Sequence, residues 1–230
     1  MTQDYNQITI PEATALQQEL RSKVLIQAPD FPINTVAGAD ISFNKNSTTV
    51  YAGIVVLKFP ELQPVAYCLV KKEVTFPYVP GYLAFREVPA LLEAWKLLKV
   101  KPDVLVVDGH GIAHPRGLGI AAHFGVLTGQ PAIGCAKKLL FGKYDEPGEQ
   151  RGDFSPLLNK GVMIGAVLRT KPNVKPVFVS PGYKMDVPGS LSLITQCIGN
   201  YRLPEPTRLA HNAVNHFREG TLPEGCVNTL

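Results

Sequence analysis

VLVVDG, residues 104–109, is a run of four aliphatic residues closed by Asp108 and Gly109. A strand with apolar side chains on both faces is buried on both, as central strands are in sheets covered by helices. Downstream, Gly117–Thr128 is rich in Gly and Ala and reads as a short helix, and Pro131–Lys137 reads as another strand. Two strands joined by a helix run parallel. Upstream, Val88, Leu91, Leu92, Trp95 and Leu98 recur at helical spacing, which predicts a helix from just after Gly81 to about Lys99 with one apolar face. Pro89 must then lie in its first turn or kink it. Before that helix, Thr35–Phe43, Thr49–Phe59 and Pro64–Val74 are β-branched runs on short connections, an antiparallel group of three.

The rest of the chain supplies flanking elements. An amphipathic helix spans roughly Pro11 to Val24, with Leu16, Leu20 and Val24 on one side. Phe141 to Lys160 is polar and reads as a long loop, and Gly161–Thr170 and Pro176–Ser180 as a strand pair. Ser190 is placed to cap a helix running to about Ile198; Pro206 opens a last helix, Thr207–Glu219, which Gly220 ends before a frayed tail. The expected fold class is α/β, a mixed β-sheet flanked by helices. No GxGxxG follows the first strand, which sets aside a dinucleotide-binding sheet. No repeat or long linker divides the 230 residues, so 1–230 is read as one domain, with a helix in about 1–25 and a tail in about 221–230 at its periphery.

Composition narrows the function classes. Hydrophobic residues make up 45% and charged residues 18%, ordinary for a globular chain with a sizeable core. No apolar run approaches the ~20 residues of a membrane span, and the first ten residues have neither the basic nor the apolar region of a secretory signal. Cys68, Cys135, Cys197 and Cys226 form no CxxC pair, so free thiols and a cytoplasmic location are expected. The net charge of +4 suits a nucleic-acid partner only if the basic residues gather on one face.

Four separated positions carry the candidate chemistry. Asp40 lies in the first strand, and Asp108 ends the buried one, at the carboxyl edge where α/β sheets place their sites. In this strand order the two strands are neighbours. Two aspartates there repel each other, and a divalent cation such as Mg²⁺ relieves the repulsion. Glu87 flanks the buried face at the start of the apolar helix and is placed to reach the same cation. His211 lies on the last helix, where an imidazole can hold a proton, bind a metal water or touch phosphate. A fifth position, Lys137, ends the strand after Asp108's, at the same edge, where it can pair with a phosphate. Each position alone also reads as an ordinary cap, surface or strand-end residue; their order along the chain is what points to phosphodiester hydrolysis.

Two further features bear on the partner. Pro77-Tyr78-Val79-Pro80 holds an aromatic and an aliphatic residue between two prolines, either a stiff packed loop or a rigid wedge that parts stacked bases. Gly81, Gly109 and Gly111 leave room for close backbone approach, or simply serve turns. His110 and His114 have an HxxxH spacing, but Pro115 and the glycines around His110 oppose the helix that a zinc site of this kind needs.

The segments VAGADISF (36–43), FPYVPGYLAFRE (76–87), PDVLVVDGHGIAHPRGLGIAAH (102–123), IGCAKKLLFG (133–142), FVSPGYKMDV (178–187) and PEPTRLAH (204–211) closely resemble the endonuclease V family, over about residues 30 to 220. The resemblance implies a ribonuclease H-like fold and a DNA repair enzyme that acts at deaminated bases, chiefly deoxyinosine. It implies hydrolysis of the second phosphodiester bond 3′ to the lesion, leaving 3′-hydroxyl and 5′-phosphate ends, with Mg²⁺ or Mn²⁺ as cofactor. Asp40, Glu87 and Asp108 correspond to the metal carboxylates, and Lys137 and His211 to further catalytic residues. Pro77, Tyr78, Val79 and Pro80 correspond to the strand-separating wedge, and Gly81, Leu83, Gly109, His114 and Ile120 to the base pocket. The expected partner is deoxyinosine-containing DNA bound by a monomer; inosine-containing RNA is the alternative substrate.

Overall fold

A computed structural model describes residues 5–45 and 47–228. Its centre is one sheet of nine strands: β1 (Thr35–Phe43), β2 (Thr49–Lys58), β3 (Gln63–Glu73), β4 (Val104–Val107), β5 (Ala132–Ala136), β6 (Phe154–Asn159), β7 (Val162–Leu168), β8 (Val177–Tyr183) and β9 (Gly225–Val227). Their order across the sheet is β6-β7-β8-β5-β4-β1-β2-β3-β9. The first three strands form the expected antiparallel group. β4 is parallel to β1 on one side and to β5 on the other, as the aliphatic run and its βαβ connection predict.

Alternation along the strands assigns the two faces. Ala37, Ala39, Leu105 and Val107 pack in one core with α2 (Leu83–Leu97) and α3 (Ile120–Thr128). Val36, Val104, Val106 and Ile133 face the other way, onto Leu193 and Ile194 of α4 (Val187–Gln196). On that second face α5 (Glu205–Arg218) lays Ala210, Val214 and Phe217 against Val55, Leu57 and Leu69. A helix can approach β1 this closely because of Gly38, where an added Cβ would lie 1.8 Å from the carbonyl oxygen of Pro206 at the head of α5. The N-terminal helix α1 (Ile10–Ser22) begins in a capping box between Thr9 and Glu12 and packs Leu16 and Leu20 on Leu118 and Ala122. No helix among the described residues is long and apolar enough to cross a membrane.

Several local expectations need correction. The polar segment 141–160 is not all loop: residues 154–159 form β6, whose alternating burial pairs it with β7. Asp186, not Ser190, caps α4, and Ser190 is buried inside the helix. Pro89 lies in the interior of α2 beyond its first turn, where packing of the buried face outweighs the missing backbone donor. The tail is not frayed throughout, since residues 225–227 add an edge strand to β3; residues 229–230 lie outside the described residues. Cys68 and Cys226 face each other directly in that β3–β9 register and are joined by a disulfide, so only Cys135 and Cys197 are the free thiols expected.

Candidate active site

Register brings the two aspartates together. Ala39 pairs with Val107 across the parallel β1–β4 ladder, and the next backbone hydrogen bond runs from Asp108 N–H to the Ala39 carbonyl at 2.9 Å. Asp40 and Asp108 therefore end up side by side at the carboxyl edge of β4. Glu87 reaches the same place from the second turn of α2, with Phe85 and Val88 buried beside it in the core. Asp40 and Glu87 are almost wholly buried, 6% and 7% exposed. Three carboxylates this close together out of water cannot all remain ionised without a compensating cation. Burial first, then the charges of Asp40 and Asp108, hold the Glu87 carboxyl well above the usual carboxylate range. Burial and Asp40 likewise raise Asp108, opposed by Lys137.

Lys137 is the cation the chain itself supplies. It follows the last residue of β5, and its Nζ lies 2.5 Å from Asp108 Oδ2. Its backbone is braced from behind: Arg202, between α4 and α5, donates from Nη2 to the carbonyls of Lys137 at 2.6 Å and Pro176 at 2.9 Å. A single ammonium leaves this cluster of acids with a negative excess. One ligand atom each from Asp40, Asp108 and His211 lies within 4.8 Å of the others. Carboxylate oxygens are hard donors, suited to Mg²⁺ or Mn²⁺ rather than to soft metals. The acid cluster thus fits a divalent cation on its own chemistry.

His211, on α5, has both ring nitrogens engaged. Nδ1 lies 2.8 Å from Asp40 Oδ2, and Nε2 lies 3.1 Å from Asn215 Nδ2 one helical turn on. The Asn215 oxygen accepts from Ser42 Oγ and Arg218 Nη2, which leaves its amide nitrogen facing the ring. Asn215 therefore donates to Nε2, and the ring hydrogen on Nδ1 is the one donated to Asp40. Asn215 and Arg202 escape a sequence reading, because an amide or guanidinium that braces another side chain leaves no motif.

A cavity of about 170 Å³ opens next to the acids. All five residues expected to form a pocket, Gly81, Leu83, Gly109, His114 and Ile120, line it, and Glu87 and Asp108 lie at its wall. Tyr78, Val79 and Pro80 form part of the lining as well; Pro77 does not. Tyr78 stands 64% exposed at the rim, with its ring 6.4 Å from that of Phe43. The near foot of this projection is held by the buried Arg86, which donates to the carbonyls of Phe76 at 2.9 Å and Ser47 at 2.6 Å. His110 and His114 do not meet over a common site: His110 Nε2 bonds the Lys138 carbonyl and His114 Nε2 the Gly81 carbonyl.

Known proteins resemble the chain over most of its length. A model of the Endonuclease V family matches residues 15–212. Endonuclease V of Roseiflexus sp. (strain RS-1) is 44% identical over 221 residues, covering 95% of this chain and 99% of the relative. The crystal structure of the Endonuclease V from Streptomyces avermitilis superposes with a TM-score of 0.87 at 41% identity, covering 94% of this chain and 96% of that one. Endonuclease V of Ciona intestinalis, solved in complex with a 24mer DNA containing an inosine followed by a ribo-adenosine, superposes at 0.82 with 29% identity, covering 93% and 98%.

Proposed function

The chain belongs to the endonuclease V family of nucleases, and we propose from that premise that it is a repair endonuclease which takes the deaminated base of a deoxyinosine strand into the Gly81–His114 cavity and hydrolyses the second phosphodiester bond on its 3′ side. One observation carries the reading: Glu87 and Asp108 stand at the wall of a cavity whose rim bears the exposed Tyr78, and Asp40 lies beside Asp108. A scissile phosphate at the acids and an extruded base in the cavity are then neighbours on one strand. Inosine pairs weakly, so extruding it costs less than extruding a normal base.

Asp40, Asp108 and Glu87 would hold Mg²⁺, with Mn²⁺ as a substitute. When bound, such a cation polarises the phosphate and lowers the pKa of a coordinated water. Lys137 Nζ, already against Asp108, is placed to meet the negative charge that develops on the phosphate. His211 holds Asp40 through its Nδ1 hydrogen, and Asn215 keeps that hydrogen on Nδ1. The Pro77–Pro80 projection acts as the wedge: its two prolines limit the entropy lost when Tyr78 inserts at the lesion. The protein would act as a monomer in the cytoplasm.

The test uses end-labelled DNA and RNA strands, each carrying one inosine, with Mg²⁺ or with EDTA. A nick one nucleotide past the inosine in DNA, absent with EDTA, is the expected result. Preferential cutting of the RNA strand would make the enzyme an inosine-specific endoribonuclease instead. Equal cutting of unmodified strands would refute the damage specificity.

A further inference from the structure

The far foot of the Pro77–Pro80 projection is a tight turn. Tyr82 N–H donates to the Val79 carbonyl at 2.9 Å, with Pro80 and Gly81 between them and Gly81 at φ +80°. Proline at the second position and a left-handed glycine at the third make a type II turn. The Gly81 carbonyl accepts from three donors: Gln17 Nε2 at 2.9 Å, His114 Nε2 at 3.1 Å and Arg116 Nη2 at 2.6 Å. A carbonyl has two lone pairs, so this peptide plane is held more tightly than satisfying its oxygen requires.

The donors are themselves tied together. Gln17 is fully buried, and while its nitrogen serves Gly81 its oxygen accepts from Arg116 Nε. Arg116 lies over the Tyr82 ring, 4.2 Å from its centroid, and its backbone N–H donates to His114 Nδ1 at 3.2 Å. That donor leaves the His114 hydrogen on Nε2, facing Gly81; burial, then Arg116's charge, lowers this imidazole to about 4, so it is neutral at physiological pH. One turn before Gln17 on α1, Thr14 Oγ1 meets the Tyr82 hydroxyl at 2.7 Å. Helix α1, which the sequence marks as peripheral, therefore touches the turn below the projection at two points while Leu16 and Leu20 anchor it to Leu118 and Ala122.

We propose that Gln17, with Arg116, is a strut from α1 that sets the Gly81 peptide, and that these two are positioning residues for selecting the damaged base. The inference rests on the reading above that this cavity takes the extruded base. Neither residue reaches Asp40, Glu87 or Asp108, which are carried by β1, α2 and the end of β4. Loosening the strut weakens recognition and leaves hydrolysis intact.

The test is Gln17→Glu, which keeps an acceptor for Arg116 and removes the donor to Gly81. Nicking of a single-inosine strand is compared with nicking of the same unmodified strand, beside a melting curve and hydrogen exchange of the peptide spanning residues 76–86. Loss of one buried hydrogen bond is expected to raise KM for the inosine strand and lower the inosine preference by about tenfold. kcat should stay within about twofold, and exchange in 76–86 should quicken by a similar tenfold with the melting temperature held within about 6 °C. Thr14→Val, which removes the contact with the Tyr82 hydroxyl together with the hydroxyl's local bond to the Ile10 carbonyl within α1, should shift the same readouts the same way by less, and it decides the matter should Gln17→Glu not fold. Unchanged preference and unchanged exchange in a folded variant would overturn the strut. Wild-type protein with no inosine preference would instead refute the proposed function, and the exchange measurement would still decide whether the strut holds the turn.

Discussion

Glu87→Gln removes one ionisable group from the acid cluster with almost no change of volume. Glu87 is 7% exposed, and burial, then Asp40 and Asp108, hold its carboxyl well above the usual range against the opposing charge of Arg86. The metal-free folded protein thus keeps a proton there that the unfolded chain releases at an ordinary glutamate pKa. The stability tied to this group is complete below the unfolded value and is lost as pH rises from there through the folded value. Glutamine has no such proton, so the variant escapes that loss. Within the window the two proteins diverge by about 1.4 kcal/mol for each pH unit, or about 3–6 °C per unit for a domain of this size. In EDTA the variant should therefore melt above wild type at neutral pH and converge with it near about pH 4. Adding Mg²⁺ should narrow that gap. A cation at a hundred times its Kd stabilises wild type by about 2.7 kcal/mol, roughly 5–11 °C, whereas the variant has lost one carboxylate ligand and should gain less than half of that. Differential scanning fluorimetry across this pH range, with and without chelator, reads both effects. Superimposed metal-free melting curves, or a variant that melts lower in EDTA, would mean that Glu87 is ionised and well paired without metal, and the electrostatic reasoning would be wrong.

Lys137→Ala should lower kcat by about 10²–10³-fold in single-turnover nicking while leaving binding of an inosine strand in Ca²⁺ nearly unchanged. Because Lys137 is about one-third exposed, its pairing with Asp108 is partly screened, and the cost in stability should not exceed about 1 kcal/mol. Tyr78→Ala, at a side chain 64% exposed, should leave the melting temperature unchanged but weaken inosine-strand binding by about 5–100-fold, the effect of one lost stacking contact; equal affinity by fluorescence polarisation would remove Tyr78 from the interface. Phe85→Ala empties a fully buried site packed on Tyr5, Phe76 and His123. It should cost about 3–5 kcal/mol and lower the melting temperature by about 6–20 °C.

Much of the fold was legible because its signals are local. The aliphatic run of β4, the β-branched runs of β1 to β3 and the helical period of α2 each arise from contacts that residues of one element make with the same surface. The errors came where local preference and tertiary pairing disagree. β6 and β9 carry turn-like or mixed residues and form because a partner edge strand offers unpaired backbone groups. The disulfide between Cys68 and Cys226 depends on that β9 pairing, across 158 residues of sequence.

The site divides in the same way. Its chemistry was determined by the chain alone: hard oxygen donors at a strand end, an acid on the adjacent helix, a lysine closing the next strand, and a proline-braced aromatic. The order of those residue types along the chain is what pointed to a divalent cation and a phosphodiester. Tertiary structure decided which groups orient them. Asp40 meets His211 across 171 residues, and the Gly81 carbonyl meets Gln17 across 64. A hydrogen bond to a carbonyl needs only some donor of the right reach, so no residue type or spacing announces it. The hydrogen on His211 Nδ1, the brace on Lys137 and the pinned turn beneath Tyr78 therefore follow from distances that only the folded chain sets.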